Sequence, residues 1–203
     1  MLSLEEGEYL VRLARSAIEV YLEKGVAITP EKPPASLLEK KGVFVTIETY
    51  PAKELRGCIG YPYPVKELAH SVVDCAINSA TSDPRFPEMR RSELDSCTIE
   101  ISVLTLPEIV KVGDPKECPK KIKVGKDGLI VEYGYYSGLL LPIVPVEQRW
   151  DEEEFLSQTC YKAGLPFDMW LSPKVKIYKF QSQLFKEEKP DGKVIEVQLE
   201  VKE

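Results

Sequence analysis

The chain has 203 residues, 43% hydrophobic and 30% charged, with 33 acidic and 27 basic side chains and a formal charge of -6. That length buries one substantial core or two closely joined ones. The acidic balance argues against a dedicated duplex-binding module and leaves only a local basic groove for nucleic acid.

Ser3 and Glu6 have the spacing of a capping box, and Leu10, Leu13, Ala14, Ala17, Ile18 and Tyr21 follow at helical steps until Gly25. A proline-rich loop spans 29–36. Val43 to Thr49 alternates as a strand, residues 51–54 turn, and Leu55 to Tyr61 returns antiparallel. Apolar spacing from Val65 to Ala80 predicts a second long helix, started near Pro64 and ended by Ser82 to Pro87. Residues 88–95 read as polar and exposed. Thr98 to Leu104 reads as a strand, with Glu100 on the face opposite Ile99 and Ile101.

The charge-rich segment 107–121 reads as a connection, and as the place where one domain over 1–203 would divide into two subdomains. Lys126 to Gly128 turns between short strands, and 133–138 reads as an aromatic, glycine-rich turn. Leu139 to Val146 reads as a buried strand interrupted by Pro142 and Pro145. A helix starts at Asp151, a compact turn holds Asp168 and Trp170, Val175 to Phe180 is a strand, and Val194 to Val201 is a terminal edge strand. Helices set among seven or more strands give an α+β fold, with a mixed or antiparallel sheet core packed by helices.

Five cysteines at 58, 75, 97, 118 and 160 without a CxxC, beside a single histidine, argue against a disulfide framework and a Cys/His zinc site. Acidic residues precede the first apolar segment, unlike a signal peptide, and the apolar run 139–146 is too short for a membrane helix. The expected location is cytoplasmic, with no membrane contact.

Chemistry concentrates at Leu55-Arg56-Gly57-Cys58-Ile59-Gly60. Cys58 is the sharpest candidate nucleophile. In an extended segment Arg56 shares its side and would favour the thiolate, while Gly57 and Gly60 could leave amides open to an anion. The alternative is a small buried thiol with glycines serving close packing. His70, the sole imidazole, lies twelve residues on, where a helix could return it to Cys58 as a base or leave it in water. Asp83 and Arg85, held in a proline-flanked turn, and Glu100 suit a polar ligand, but equally suit local capping and pairing. Tyr133, Tyr135 and Tyr136 could stack a planar ligand or cover a sheet. Lys120, Lys121, Lys123 and Lys126 read as a solvated turn.

LRGCIG at 55–60, SATSDPRF at 79–86, EISVL at 100–104, DGLIVEYGYYSGLLLP at 127–142, EQRWDEEEFL at 147–156 and CYKAGLPFDMWL at 160–171 together resemble the AMMECR1 domain family. The resemblance implies larger and smaller subdomains separated by a cleft, with LRGCIG, Arg56, Cys58, Asp83, Arg85 and Glu100 near it. It also implies a catalytic partnership with Memo-like or radical S-adenosylmethionine proteins. This chain has no CxxxCxxC to hold the iron–sulfur cluster of a radical S-adenosylmethionine protein, and no cofactor is identified.

Three functions fit the residues. One is an enzyme or enzyme component that binds a small anionic substrate around LRGCIG. Another is a non-catalytic ligand- or protein-binding adaptor. The third, disfavoured by net acidity, is a nucleic-acid-associated regulator.

Overall fold

The computed structural model describes residues 1–198. In chain order the first elements are α1 (Leu4–Lys24), β1 (Gly42–Thr49), β2 (Leu55–Tyr61), α2 (Leu68–Thr81), α3 (Arg91–Leu94) and β3 (Cys97–Leu104). Next come β4 (Glu108–Ile109), β5 (Gly128–Tyr133), β6 (Tyr136–Leu140), α4 (Ile143–Gln148) and α5 (Glu152–Lys162). The last are β7 (Lys176–Phe180), β8 (Ser182–Glu187) and β9 (Val194–Val197). The architecture is α+β with antiparallel sheets. It forms two compact units, Met1–Leu104 with Gln183–Val197, and Thr105–Ser182.

In the first unit a five-stranded sheet runs β2-β1-β3-β8-β9. Alternation in the strands meets the helical period of α1 and α2 on one face. Val43, Val45 and Ile47 of β1 and Ile99 and Ile101 of β3 are buried with Leu10, Ala14 and Ile18 of α1 and Val72 and Ala76 of α2. Ser3 Oγ accepts the Glu6 amide at 3.2 Å, and the Glu6 carboxylate accepts the Ser3 amide at 2.7 Å, which starts α1 where the sequence placed it.

The strand β8 is legible in the sequence only with difficulty, because it ends on a buried acid. Glu187 is 2% exposed and pairs with Arg15 of α1. Arg15 Nε donates to Glu187 Oε1 at 2.7 Å, Arg15 Nη2 donates to the Cys97 carbonyl at 2.7 Å, and Glu187 Oε2 accepts the Ile99 amide at 3.1 Å. The cluster ties α1, β3 and β8 together.

In the second unit the sheet order is β4-β7-β5-β6. Its core packs Phe155, Leu156 and Cys160 of α5 with Leu129, Val131 and Leu140 of the sheet and Trp170. Among the described residues no helix is long and apolar enough to cross a membrane.

Several local expectations change. The second helix starts at Leu68, and Val65 is exposed. Residues 88–95 are not uniformly exposed: Met89 and Leu94 are buried around the single turn α3. The segment 107–121 carries β4 and a 3-10 turn at Pro115–Lys121, inside the second unit. The 133–138 turn shrinks to Gly134 and Tyr135, since Tyr136, Ser137 and Gly138 pair with β5. The strand expected over 139–146 stops at Leu140 and α4 replaces it. Pro142 and Pro145 sit at and within its first turn, where backbone amides need no helical partner. The edge strand expected over Val194 to Val201 is β9 as far as Val197; its last residues, 199–201, lie outside the described residues.

Candidate functional site

LRGCIG forms β2, the edge strand of its sheet, so one row of its backbone groups is left unpaired by β1. Cys58 presents such a pair of groups, and the turn after α2 satisfies both. The Cys58 amide donates to Asp83 Oδ2 at 2.8 Å, and its carbonyl accepts from Arg85 Nη2 at 3.3 Å. Arg85 also binds Asp83 through Nε at 2.9 Å, Nη2 at 2.6 Å and its own amide at 3.1 Å. Asp83 is 4% exposed, and its carboxyl is held down to about 2, first by the Arg85 side chain and then by the Cys58 and Arg85 amides. The DPRF turn is therefore a clip that fixes the backbone of Cys58.

Strand register defines what lies beside the thiol. Thr46 of β1 faces Cys58 on one side and Glu100 of β3 on the other. The three share the face away from α1 and α2, as alternation from Val45 and Ile101 requires. Thr46 Oγ1 donates to Cys58 Sγ at 3.3 Å. Cys58 and Glu100 are half-buried and Thr46 is buried. The next row holds Gly60, Phe44 and Ser102. A Cβ on Gly60 would fall 2.3 Å from the Phe44 ring, so only glycine lets that ring lie across the strand. Ser102 Oγ is buried without a hydrogen-bond partner.

Arg56 does not join this row. The pairing shifts between Ile47 and Glu48, which oppose Gly57 and Leu55, so Arg56 is the extra residue of a bulge. Its guanidinium makes two 3.3 Å bonds to Glu93 and lies 5.9 Å from the Phe86 ring centroid. It also opposes the burial that raises the Cys97 thiol, on the core side of the sheet. The expectation that Arg56 would sit beside the Cys58 thiol assumed a regular strand, and the bulge removes that premise. Arg56 Nη1 remains buried without a partner.

Gly57 serves close packing. A Cβ there would fall 2.0 Å from the Ser79 carbonyl oxygen of α2. The same approach brings Ser79 Oγ between the paired strands, where it accepts the Ile59 amide and donates to the Val45 carbonyl, each at 2.8 Å. His70 is nine residues before Ser79, about 13 Å along the helix. It pairs with Glu67 at 3.0 Å and lines a different recess with Lys66 and Asp74. The structure does not bring His70 to Cys58.

The fold thus gathers Cys58, Asp83, Arg85 and Glu100 around β2 and β1, and adds Thr46, Ser79, Phe86, Glu93 and Ser102, which sequence reasoning missed. Strand alternation signalled two of these, Thr46 and Ser102, by placing each on the polar face of its strand. Cys58 is the one cysteine of five that is not buried. Burial pushes the Cys75 thiol up to about 12 and Cys160 to about 11, and raises Cys97 and Cys118. Among the described residues no three His, Cys, Asp or Glu side chains group to hold a metal ion.

A family model described as AMMECR1 matches residues 11–185. The chain is 55% identical over 199 residues to protein MJ0810 of Methanocaldococcus jannaschii, covering 98% of each. It is 57% identical over 196 residues to protein MK0488 of Methanopyrus kandleri, covering 96% of this chain and 95% of that one. The crystal structure of the uncharacterised protein PH0010 from Pyrococcus horikoshii matches with a TM-score of 0.94 at 55% identity, covering 96% of this chain and 98% of that one.

Proposed function

The chain belongs to the AMMECR1 family, and on that premise we propose that β2 is the reactive wall of a site for a small polar substrate, with Cys58 as the reacting thiol. The observation that carries this reading is the treatment of Cys58. It alone among the cysteines escapes full burial, its backbone is fixed at both N–H and C=O, and its sulfur has a hydroxyl 3.3 Å away. A fixed, partly accessible thiol suits nucleophilic or proton-transfer chemistry better than packing. Thr46 Oγ1 donates to the thiol sulfur, and Glu100, the carboxylate on the other side of Thr46 in register, shares the same face. The Arg85 side chain keeps 51% exposure after pairing with Asp83, and its outward face offers donors to an anionic group.

A second reading has its own support. Arg56 and Arg85 are already matched to Glu93 and Asp83, and no imidazole stands beside the thiol. A rigid binding surface that makes and breaks no bond fits those pairings. In either case a Memo-like or radical S-adenosylmethionine partner is expected, with any iron–sulfur cluster on the latter, since this chain lacks the cysteine spacing for it. We place the protein in the cytoplasm, in keeping with its four buried, unpaired thiols.

Iodoacetamide labelling of the native protein, read per cysteine by mass spectrometry across pH 6 to 9, separates the readings. The reactive-site reading expects Cys58 to label first and a compound from a metabolite library to slow that labelling. It also expects His70→Ala to leave the pH profile in place. Labelling of Cys58 as slow as that of the buried cysteines removes the thiol role. Fast labelling that no compound protects selects the adaptor.

A further inference from the structure

The second unit holds a recess of about 640 Å³ that no residue of LRGCIG lines. Its wall carries Lys120, Lys121, Lys123, Lys126, Arg149 and Lys179, against the three acids Asp127, Asp151 and Glu152. The acids are occupied by the protein itself. Asp127 Oδ2 accepts the Lys123 amide at 2.9 Å, Asp151 Oδ1 accepts the Glu154 amide at 2.8 Å, and Glu152 Oε1 accepts the Val124 amide at 3.2 Å. Lys179 lies 3.9 Å from Asp127 and donates to the Lys121 carbonyl. The other five cations take no carboxylate partner among the described residues. On a chain of net charge -6 this is a concentrated positive field inside a concavity.

The cations are held by ordered backbone rather than by a free loop. Lys120 and Lys121 end the 3-10 turn Pro115–Lys121. Lys123 and Lys126 flank a turn closed by Asp127, which is 4% exposed and whose amide donates to the Lys123 carbonyl at 2.9 Å. Arg149 caps α4 at φ 59°, a left-handed conformation that glycine usually fills. Keeping arginine there puts a guanidinium at the recess against the backbone preference. Trp150 follows, half-buried, packed on the core of the unit and lining the same recess. A planar aromatic surface beside several unpaired cations matches a ligand that joins phosphate groups to a planar ring.

We propose that this recess binds a nucleotide-sized phosphorylated ligand, its phosphates on Arg149 and the lysines and its ring against Trp150. The site needs no contribution from Cys58, so its failure would leave the proposed function of β2 standing.

The test is calorimetric titration of the full chain with adenosine diphosphate, inorganic pyrophosphate and a single-stranded oligonucleotide. Adenosine diphosphate is expected to bind, with affinity falling as salt rises. Pyrophosphate, lacking the ring, is expected to bind about fivefold or more weaker. Arg149→Gly is expected to weaken binding about tenfold while leaving the melting temperature unchanged or raised, because glycine suits the left-handed backbone. Absence of binding by adenosine diphosphate, equal affinity for pyrophosphate, an unchanged affinity in Arg149→Gly, or binding of the oligonucleotide alone would each overturn the proposal.

Discussion

Replacing Asp83 by asparagine tests whether the DPRF turn is the clip that fixes Cys58. Asp83 accepts four N–H groups: the amides of Cys58 and Arg85, and Arg85 Nε and Nη2. An asparagine oxygen accepts two at most, and its amide nitrogen meets the remaining donors. Water compensates at the half-exposed Arg85 but not at the Cys58 amide beside the buried carboxylate, so the expected loss is about 3 kcal/mol. The pH dependence has a definite sign. The folded carboxyl titrates at about 2, below its ordinary value of 3.8, because Arg85 and the two amides favour the anion. A depressed pKa stabilises the fold above the unfolded value and loses that contribution as pH falls through the folded one. The wild type should therefore lose about 2.5 kcal/mol between about pH 5 and pH 1, about 1.8 kcal/mol of it between pH 4 and pH 2, that Asp83→Asn does not lose. Denaturant unfolding of both proteins at pH 7, 4 and 2.5, followed by circular dichroism, measures the difference. All other carboxylates are shared, so it isolates Asp83. Hydrogen exchange of residues 55–61 should accelerate in the variant at pH 7. A gap below about 1 kcal/mol at neutral pH, or one that does not narrow in acid, would refute the clip.

Gly57→Ala should cost about 3 kcal/mol or more, because the new methyl meets the Ser79 carbonyl, a backbone atom that cannot rotate away; a melting temperature within a degree or so of wild type would show that α2 yields. Glu187→Gln should cost about 3 to 5 kcal/mol by leaving Arg15 buried without its counter-charge. The double replacement Arg15→Met with Glu187→Leu should recover part of that loss in the same unfolding assay, since both charges leave together while the Ile99 amide and Cys97 carbonyl lose their partners.

The readable parts of the fold were those where local pattern and tertiary role agree. The apolar stripe of α1, the alternation of β1 and β3, and the position of Glu100 opposite the isoleucines all follow from periodicity, and the sheet uses them as written. The strand expected over 139–146 gives way because apolar residues with prolines suit a buried strand or the first turn of a helix equally, and pairing of β6 with β5 ends at Leu140. β8 is hidden because its terminal glutamate looks solvent-bound until Arg15, 172 positions away, arrives to neutralise it. Arg56 misled for a related reason. A single-residue bulge is invisible in sequence, yet it turns a side chain toward a new neighbour.

The sequence alone determined that LRGCIG is an extended segment, that DPRF follows the next helix as a rigid turn, and that Cys58 stands among few chemically useful groups near it. Those features depend on neighbours within a few residues. Only the tertiary structure decided which groups meet. Thr46 and Glu100 reach the row of Cys58 through strand register, Asp83 and Arg85 reach its backbone because β2 is an edge, and His70 is carried away by the length of α2. Register, edge position and helix direction are set by packing of the whole unit, and no short stretch of sequence carries them.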